Sequence, residues 1–314
     1  MDFKDLKYMI TVAECGSVTA AAKKLYVSQP SLSYVISRVE EDLGVKLFDR
    51  RNTPVTLTYA GKRYLEAARQ ILEIDSDLRK ELGDIIKEEA GEIDLGIPTE
   101  RAGYMLPKVL GKFRSSFPKV NLRLREARSA QIIHDLEAGN IDIAVLPAQP
   151  AEISDRFETE LICREHLYLI AGRGLITKDM IVEKGNDRQL PMVDLHKMKN
   201  VPFILMSEGQ YIRRYAEKIL SDVNVNPNEM TVVTSGITAV QLAKEGLGAT
   251  IVSERAVNPL GGIREIPCYR YSGSDAMWDV RAVYRKGAYL SRSARFLIDL
   301  LKEEFGHKDD TGQS

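Results

Sequence analysis

The chain has 314 residues, a formal net charge of -1, 44% hydrophobic and 28% charged residues. That length exceeds one ordinary core and points to two or three domains, and the near-neutral total excludes a uniformly basic nucleic-acid coat protein, so any DNA contact has to be local. No apolar run reaches the roughly 18 residues a bilayer span needs, and Asp2 and Asp5 stand where a secretory signal is basic, so a cytoplasmic protein without membrane contact is expected.

Phe3, Leu6, Met9, Ile10 and Ala13 recur at helical spacing, and Gly16 ends this first helix. A second runs from about Val18 to Leu25 behind Ser17 as its cap, with Ala20, Ala21 and Ala22 letting another helix lie close. Tyr26 and Val27 make the turn. Ser28 caps a third helix with Pro30 in its first turn, a buried stripe of Leu32, Ile36, Val39 and Leu43, and a stop at Gly44. KLFDR and VTLT then read as two strands of a small hairpin.

From Thr58 the pattern stays helical to about Glu89, with Ile71, Ile74, Leu78, Leu82 and Ile85 on one face and charge on the other, which suits a helix shared between two chains. Past it, strands and helices alternate, as in parallel α/β sheets. IDLGI, VNLRLRE and IDIAVL read as strands, with helices at about 102–115 and 130–138. HLYLIAG, PFILM, EMTVVT and ATIVS follow, with helices at about 210–220 and 236–245. The stretches 129–146 and 235–253 both run from a hydroxyl cap through an amphipathic helix to a Gly turn and a strand, so one α/β unit is built twice and a cleft between two halves is expected. WDVRAVYRKG is a further strand, SRSARFLIDLLKEEF a last helix, and residues 307–314 a disordered tail.

With its apolar stripe buried, the third helix exposes Gln29, Ser33 and Ser37 at a spacing of four, flanked by Ser31, Tyr34 and Arg38. Such side chains can bond base edges and phosphates in a major groove. Among residues 45–63, Lys46, Arg50, Arg51, Lys62 and Arg63 face only Asp49, a local surplus of +4 suited to phosphate.

The run VAECGSVTAAAKKLYVSQPSLSYVISRVEEDLGVKLFDR followed by TLTYAG closely resembles the N-terminal winged helix-turn-helix of LysR-type transcriptional regulators. The elements A-A-x-x-L, S-Q-P-x-L-S, L-G-x-x-L-F-x-R and L-T-x-x-G occur in order at Ala21–Leu25, Ser28–Ser33, Leu43–Arg50 and Leu57–Gly61. The resemblance implies a multi-domain α/β protein: a winged helix-turn-helix over 1–58, a linker dimerisation helix over 59–90, and a periplasmic-binding-protein-like doubled α/β effector domain over 91–306. Its subdomain I would comprise about 91–162 and 269–306, and subdomain II about 163–268.

As partners it implies double-stranded promoter DNA, a second copy through the linker helix, a tetramer of two such dimers, and RNA polymerase. Gln29, Pro30, Ser31, Ser33, Tyr34, Ser37 and Arg38 would lie at the groove, with Arg50 and Arg51 on phosphate or the minor groove. A small effector would occupy the cleft beside Thr99, Glu100, Arg101, Arg128, Ser129, Ser207, Gln210, Tyr211, Thr234, Ser235 and Ile237. Hydroxyls beside free backbone N–H groups suit an anion. Glu100 departs from that pattern: unless Arg101, Arg128 or Arg213 offsets it, either the effector is zwitterionic or carries an amine, or Glu100 is simply exposed on the rim.

Cys15, Cys163 and Cys268 form no C-x-x-C pair, so neither a disulfide framework nor zinc is indicated. Cys163 and Cys268 fall near the two expected crossovers between the halves, and because the resemblance implies crossover strands running side by side the thiols could be neighbours, a candidate redox pair. His134 and His166 read as structural. No catalytic residue, cofactor or metal is expected, since nucleophile elbow, Walker A, dinucleotide fingerprint and clustered metal ligands are missing. The competing readings are a cleft that has lost its ligand, and an enzyme or solute-binding protein on a similar scaffold.

Overall fold

A computed structural model describes residues 2–49, 54–85, 91–186, 189–263, 265–271 and 277–306. Arg50, Arg51 and the tail 307–314 lie outside the described residues. The chain divides into two compact units, Met1–Glu88 and Glu89–Ser314.

In the first unit, α1 (Phe3–Cys15) opens on a capping box: Asp2 accepts from the Lys4 amide and Asp5 from the Asp2 amide. It stops at Gly16, whose φ of 57° is the left-handed conformation a glycine adopts without penalty. Ser17 caps α2 (Val18–Lys24), and Ser28 caps α3 (Gln29–Leu43), which has Pro30 in its first turn. Between them Tyr26 takes a φ of 55° and stays almost wholly exposed. Met9, Val12, Ala21, Leu32, Ile36 and Val39 form the core of this trihelical body. Leu43, expected to complete the buried stripe of α3, is exposed instead, as the last residue of the helix.

The wing is the antiparallel pair β1 (Phe48–Asp49) and β2 (Thr56–Leu57), with Phe48 opposite Leu57. A buried carboxylate pins it to α3. Glu40 accepts from the amides of Leu47 at 2.9 Å and Phe48 at 3.2 Å and from Lys46 Nζ at 2.9 Å. Burial opposes this charge, but Lys46 and the two amides outweigh it and hold the carboxyl below its ordinary range. α4 (Tyr59–Ile85) then starts on Thr58, whose hydroxyl accepts from the Gly61 amide. A Cβ at Gly61 would stand 2.0 Å from the Leu47 carbonyl oxygen, so the glycine of the L-T-x-x-G element lets α4 touch the wing backbone. Leu65 and Ala68 face the core, whereas Ile74, Leu78 and Leu82 leave an exposed apolar seam farther along.

The second unit repeats one motif. β3 (Gly91–Ile97), α5 (Thr99–Ser116), β4 (Val120–Glu126), α6 (Ser129–Glu137) and β5 (Ile143–Pro147) come first, with β3 parallel to both β4 and β5. β6 (Phe157–Ile170) then crosses to the other half, where β7 (Ile181–Glu183) and β8 (Met192–Val193) pair on one edge. There β9 (Pro202–Met206), α7 (Tyr211–Asp222), β10 (Asn228–Val233), α8 (Gly236–Lys244) and β11 (Thr250–Ser253) repeat the order, with β10 parallel to β9. The turn α9 (Glu254–Val257) and β12 (Cys268–Tyr271) follow. β13 (Met277–Arg285) returns to the first half antiparallel to β5 and β6, and α10 (Arg292–Phe305) closes it. Only β6 and β13 carry sheet pairing in the crossover region among the described residues: β6 bonds β13 along its first part and β11 and β12 along its last.

Candidate nucleic-acid face and ligand cleft

On α3, Gln29, Pro30, Ser31 and Tyr34 are exposed and Ser33 and Ser37 half-buried, so six of the expected groove residues share its outer face. Two bonds order that face: Gln29 Nε2 donates to Ser33 Oγ at 2.8 Å, and the Ser28 and Ser31 hydroxyls lie 2.7 Å apart. Arg38 is placed differently. Its guanidinium grips both carboxylate oxygens of Asp5, at 2.7 and 2.8 Å, because that nearly buried carboxylate needs a counter-charge. Arg38 thus holds α1 to α3. The positive surplus counted over 45–63 is also smaller in space than in sequence, since Lys46 pairs with Glu40 and Arg63 with Glu66, both outside that window.

In the second unit a cleft of about 640 Å³ separates the two halves. Thr99, Glu100, Arg101, Arg128, Ser129, Gln210, Tyr211, Thr234 and Ile237 line it as expected. Ser207 and Ser235 do not. The Ser207 hydroxyl donates to the Val233 carbonyl, and the Ser235 hydroxyl caps α8 by accepting from the Thr238 amide. Much of the remaining wall is apolar: Pro98, Tyr104, Pro147, Met206, Ile212, Val252, Pro259 and Trp278.

A buried ionic cluster forms the floor. Glu165 on β6 is fully buried and receives Arg101 from α5 at 2.7 and 3.2 Å, the Tyr104 hydroxyl at 2.5 Å, and Trp278 Nε1 from β13 at 2.8 Å. Burial acts against its charge, but Arg101 and these donors prevail and keep the carboxyl below the usual range. Burial also works against the Arg101 charge, yet Glu165 raises its pKa further above an already high value. Arg101 is therefore committed to Glu165 rather than to Glu100. Arg255 joins the cluster, 3.7 Å from both Glu165 and Glu254 and stacked over the Tyr104 and Phe305 rings. Glu165, Trp278 and Arg255 escaped sequence reasoning; the only tryptophan of the chain was the one signal available.

Among the contacts crossing the mouth are three hydrogen bonds. Glu100 Oε1 accepts from the Gly236 amide at 2.7 Å, Arg128 donates to the Glu208 carbonyl at 3.3 Å, and the Tyr211 hydroxyl donates to Glu152 at 2.9 Å. The α8 N-terminus, where an anion was expected, thus already holds a carboxylate of the chain itself.

The cysteine expectation fails on geometry. Cys163 pairs opposite Val280, while Cys268 pairs opposite Ile170, seven residues farther along β6, so the thiols stand about 20 Å apart. Burial, with Glu165 adding to it at Cys163, pushes both thiols up to about 12. His134 and His166, expected in structural roles, are both exposed. Among the described residues no helix is long and apolar enough to cross a membrane, and no group of three or more potential metal ligands forms.

Comparison with known proteins bears on both regions. The family model described as "Bacterial regulatory helix-turn-helix protein, lysR family" matches residues 3–62, and that described as "LysR substrate binding domain" matches residues 87–306. An uncharacterised HTH-type transcriptional regulator of Bacillus subtilis, YcgK, is 29% identical over 99% of this chain and 97% of its own. The HTH-type transcriptional regulator ClcR of Pseudomonas putida is 30% identical over 91% of this chain and 93% of its own. Among solved structures, that of CbnR, a LysR family transcriptional regulator, aligns over 98% of this chain and all of its own at a TM-score of 0.60 and 25% identity.

Proposed function

The chain belongs to the LysR family of DNA-binding transcriptional regulators, and from that premise we propose that it reads promoter DNA with α3 in the major groove, as a dimer paired through α4, and answers to a small molecule held in the cleft. Two such dimers would make a tetramer. The observation that carries the DNA reading is the outer face of α3, where Gln29, Ser31, Ser33 and Tyr34 present donors and acceptors above a core of Leu32, Ile36 and Val39 that fixes the helix. The apolar-walled cleft, spanned at its mouth by the Arg128, Glu100 and Tyr211 contacts, supports the sensing half. The exposed seam of Ile74, Leu78 and Leu82 supports the pairing.

The test is binding to the duplex upstream of the protein's own coding sequence across a salt series. Affinity should fall linearly with salt on logarithmic axes. Gln29→Ala should cost about 1–3 kcal/mol on that duplex and much less on an unrelated one. Affinity unchanged by salt would refute the phosphate contacts, and an equal loss on both duplexes would refute base reading by Gln29.

A further inference from the structure

The cleft contains an arrangement that fixes the charge of what it can take. Glu100, on the first turn of α5, reaches across to the other half and fills the α8 N-terminus through the Gly236 amide. Its second oxygen also lies against this turn, since a Cβ built on Gly236 would be 3.1 Å from Oε2. Two residues earlier on the same strand-to-helix turn, the Thr234 carbonyl accepts from Gln210 Nε2 at 2.8 Å. That bond settles the orientation of the Gln210 amide, because only its nitrogen can donate to a carbonyl. Gln210 Oε1 is then left buried with no partner among the described residues, an unmet acceptor in a residue that lines the cleft.

One turn therefore gathers a carboxylate and an unsatisfied amide oxygen, both acceptors. Two of the three positive side chains of the wall are answered by carboxylates. Arg101 is bound to Glu165 and Arg255 sits between Glu165 and Glu254, while Arg128 at the rim donates to the Glu208 backbone carbonyl. An anion entering here would meet Glu100 where helix amides would otherwise receive it. A group with several N–H donors would instead pair with Glu100 and, once the buried Gln210 Oε1 is turned toward it, satisfy that acceptor, while an apolar body fills the space bounded by Met206, Tyr211, Ile237 and Trp278.

We infer that the cleft takes an organic ammonium compound with an apolar body, its charged nitrogen held between the Glu100 carboxylate and Gln210 Oε1. The inference rests on reading the cleft as an effector site. The ammonium draws on the same carboxylate that bonds the Gly236 amide, so its arrival bears directly on one of the contacts joining the two halves.

The experiment is thermal unfolding of the full chain with a matched set of probes: 2-phenylethylamine and tryptamine as cations, 2-phenylethanol as the neutral partner, and 3-phenylpropanoate as the anion. Probes that bind the folded state stabilise it by RT ln(1 + [L]/Kd), so at equal concentration the tighter binder raises the unfolding temperature more. In the wild type the amines should stabilise most and the carboxylate least. Glu100→Gln and Gln210→Met should each weaken amine binding about tenfold or more. Glu100→Ser, which frees the Gly236 amide, should admit 3-phenylpropanoate. Retained duplex binding shows that each variant is folded. Stabilisation of the wild type by the carboxylate at least as strongly as by the amines would overturn the ammonium assignment and leave the effector cleft standing. Silence of every probe on the wild type and on Glu100→Ser would overturn both.

Discussion

Replacing Glu40 by alanine should loosen the wing from the recognition helix. The side chain is almost fully buried, and the donors it serves include the Leu47 amide, the Phe48 amide and Lys46 Nζ. Lys46 is largely exposed and returns to water at little cost, so the loss lies with the two amides, which belong to residues only 2% and 5% exposed. Stranding two buried donors costs about 3 kcal/mol in all. For a domain of this size that is roughly 15 °C in the unfolding midpoint. Glu40→Gln keeps an acceptor oxygen for the amides and should lose only about 1 kcal/mol, the charge-assisted part. The folded carboxyl has its pKa below the unfolded value of 4.5, so its stabilisation is fully present above that pH and is lost as pH falls through the folded value. The gap between wild type and Glu40→Gln should accordingly be constant near neutrality and close in acid. Amide exchange of the full chain is the direct assay, because Leu47 and Phe48 should exchange much faster in Glu40→Ala and little faster in Glu40→Gln. Equal protection in all three proteins would refute the carboxylate's role as the pin.

Gly61→Ala sets a methyl 2.0 Å from the Leu47 carbonyl oxygen, and that backbone can move only by shifting wing or helix, so a loss of about 2 kcal/mol is expected, read by calorimetry. An unfolding midpoint unchanged by the substitution would contradict the close approach. On the α4 seam, Leu78 leaves 51% of its surface exposed in the single chain. Burying that half against a partner is worth about 1 kcal/mol per chain, so Leu78→Ala should raise the dimer dissociation constant roughly 30-fold by sedimentation. With their thiols pushed up to about 12 and buried, Cys163 and Cys268 should resist iodoacetamide at pH 8 while the half-exposed Cys15 reacts, as mass spectrometry of the native protein would show. Early alkylation of either buried thiol would count against this packing.

The elements most legible in the sequence are those whose cause is local. Ser17 and Ser28 cap where their hydroxyls meet orphan amides, Gly16 and Gly44 stop helices with positive φ, and the matched stretches beginning at Ser129 and Ser235 became α6–β5 and α8–β11. Where the cause was distant, the reading failed. The first part of β6, FETELIC, did not announce itself, because a register shift against β13 at Val280 and Arg281 puts Ile162 and Cys163 both inside and Leu161 outside. Alternation, the main signal of a half-buried strand, is broken there by the bulge. Leu43 failed in the opposite sense: it fits the helical stripe, but it stands at the end of α3 and is left exposed.

The cleft divides along the same line. Thr99, Ser129 and Thr234 could be placed on its wall because each sits where a strand hands over to a helix, a position set by chain order alone. What Glu100 touches could not be read in that way. Three arginines were candidates to offset it, and the fold sends each elsewhere: Arg101 to Glu165, 64 residues away, Arg128 to the Glu208 carbonyl, and Arg213 to Glu217 and the Met206 carbonyl. Glu100 instead finds a backbone amide 136 residues along the chain. Charge complementarity in a sequence names the set of possible partners, and the choice among them is made by which helix ends and strand edges the topology brings together. Here that choice leaves a cleft in which the α8 terminus, suited by itself to an anion, is already answered.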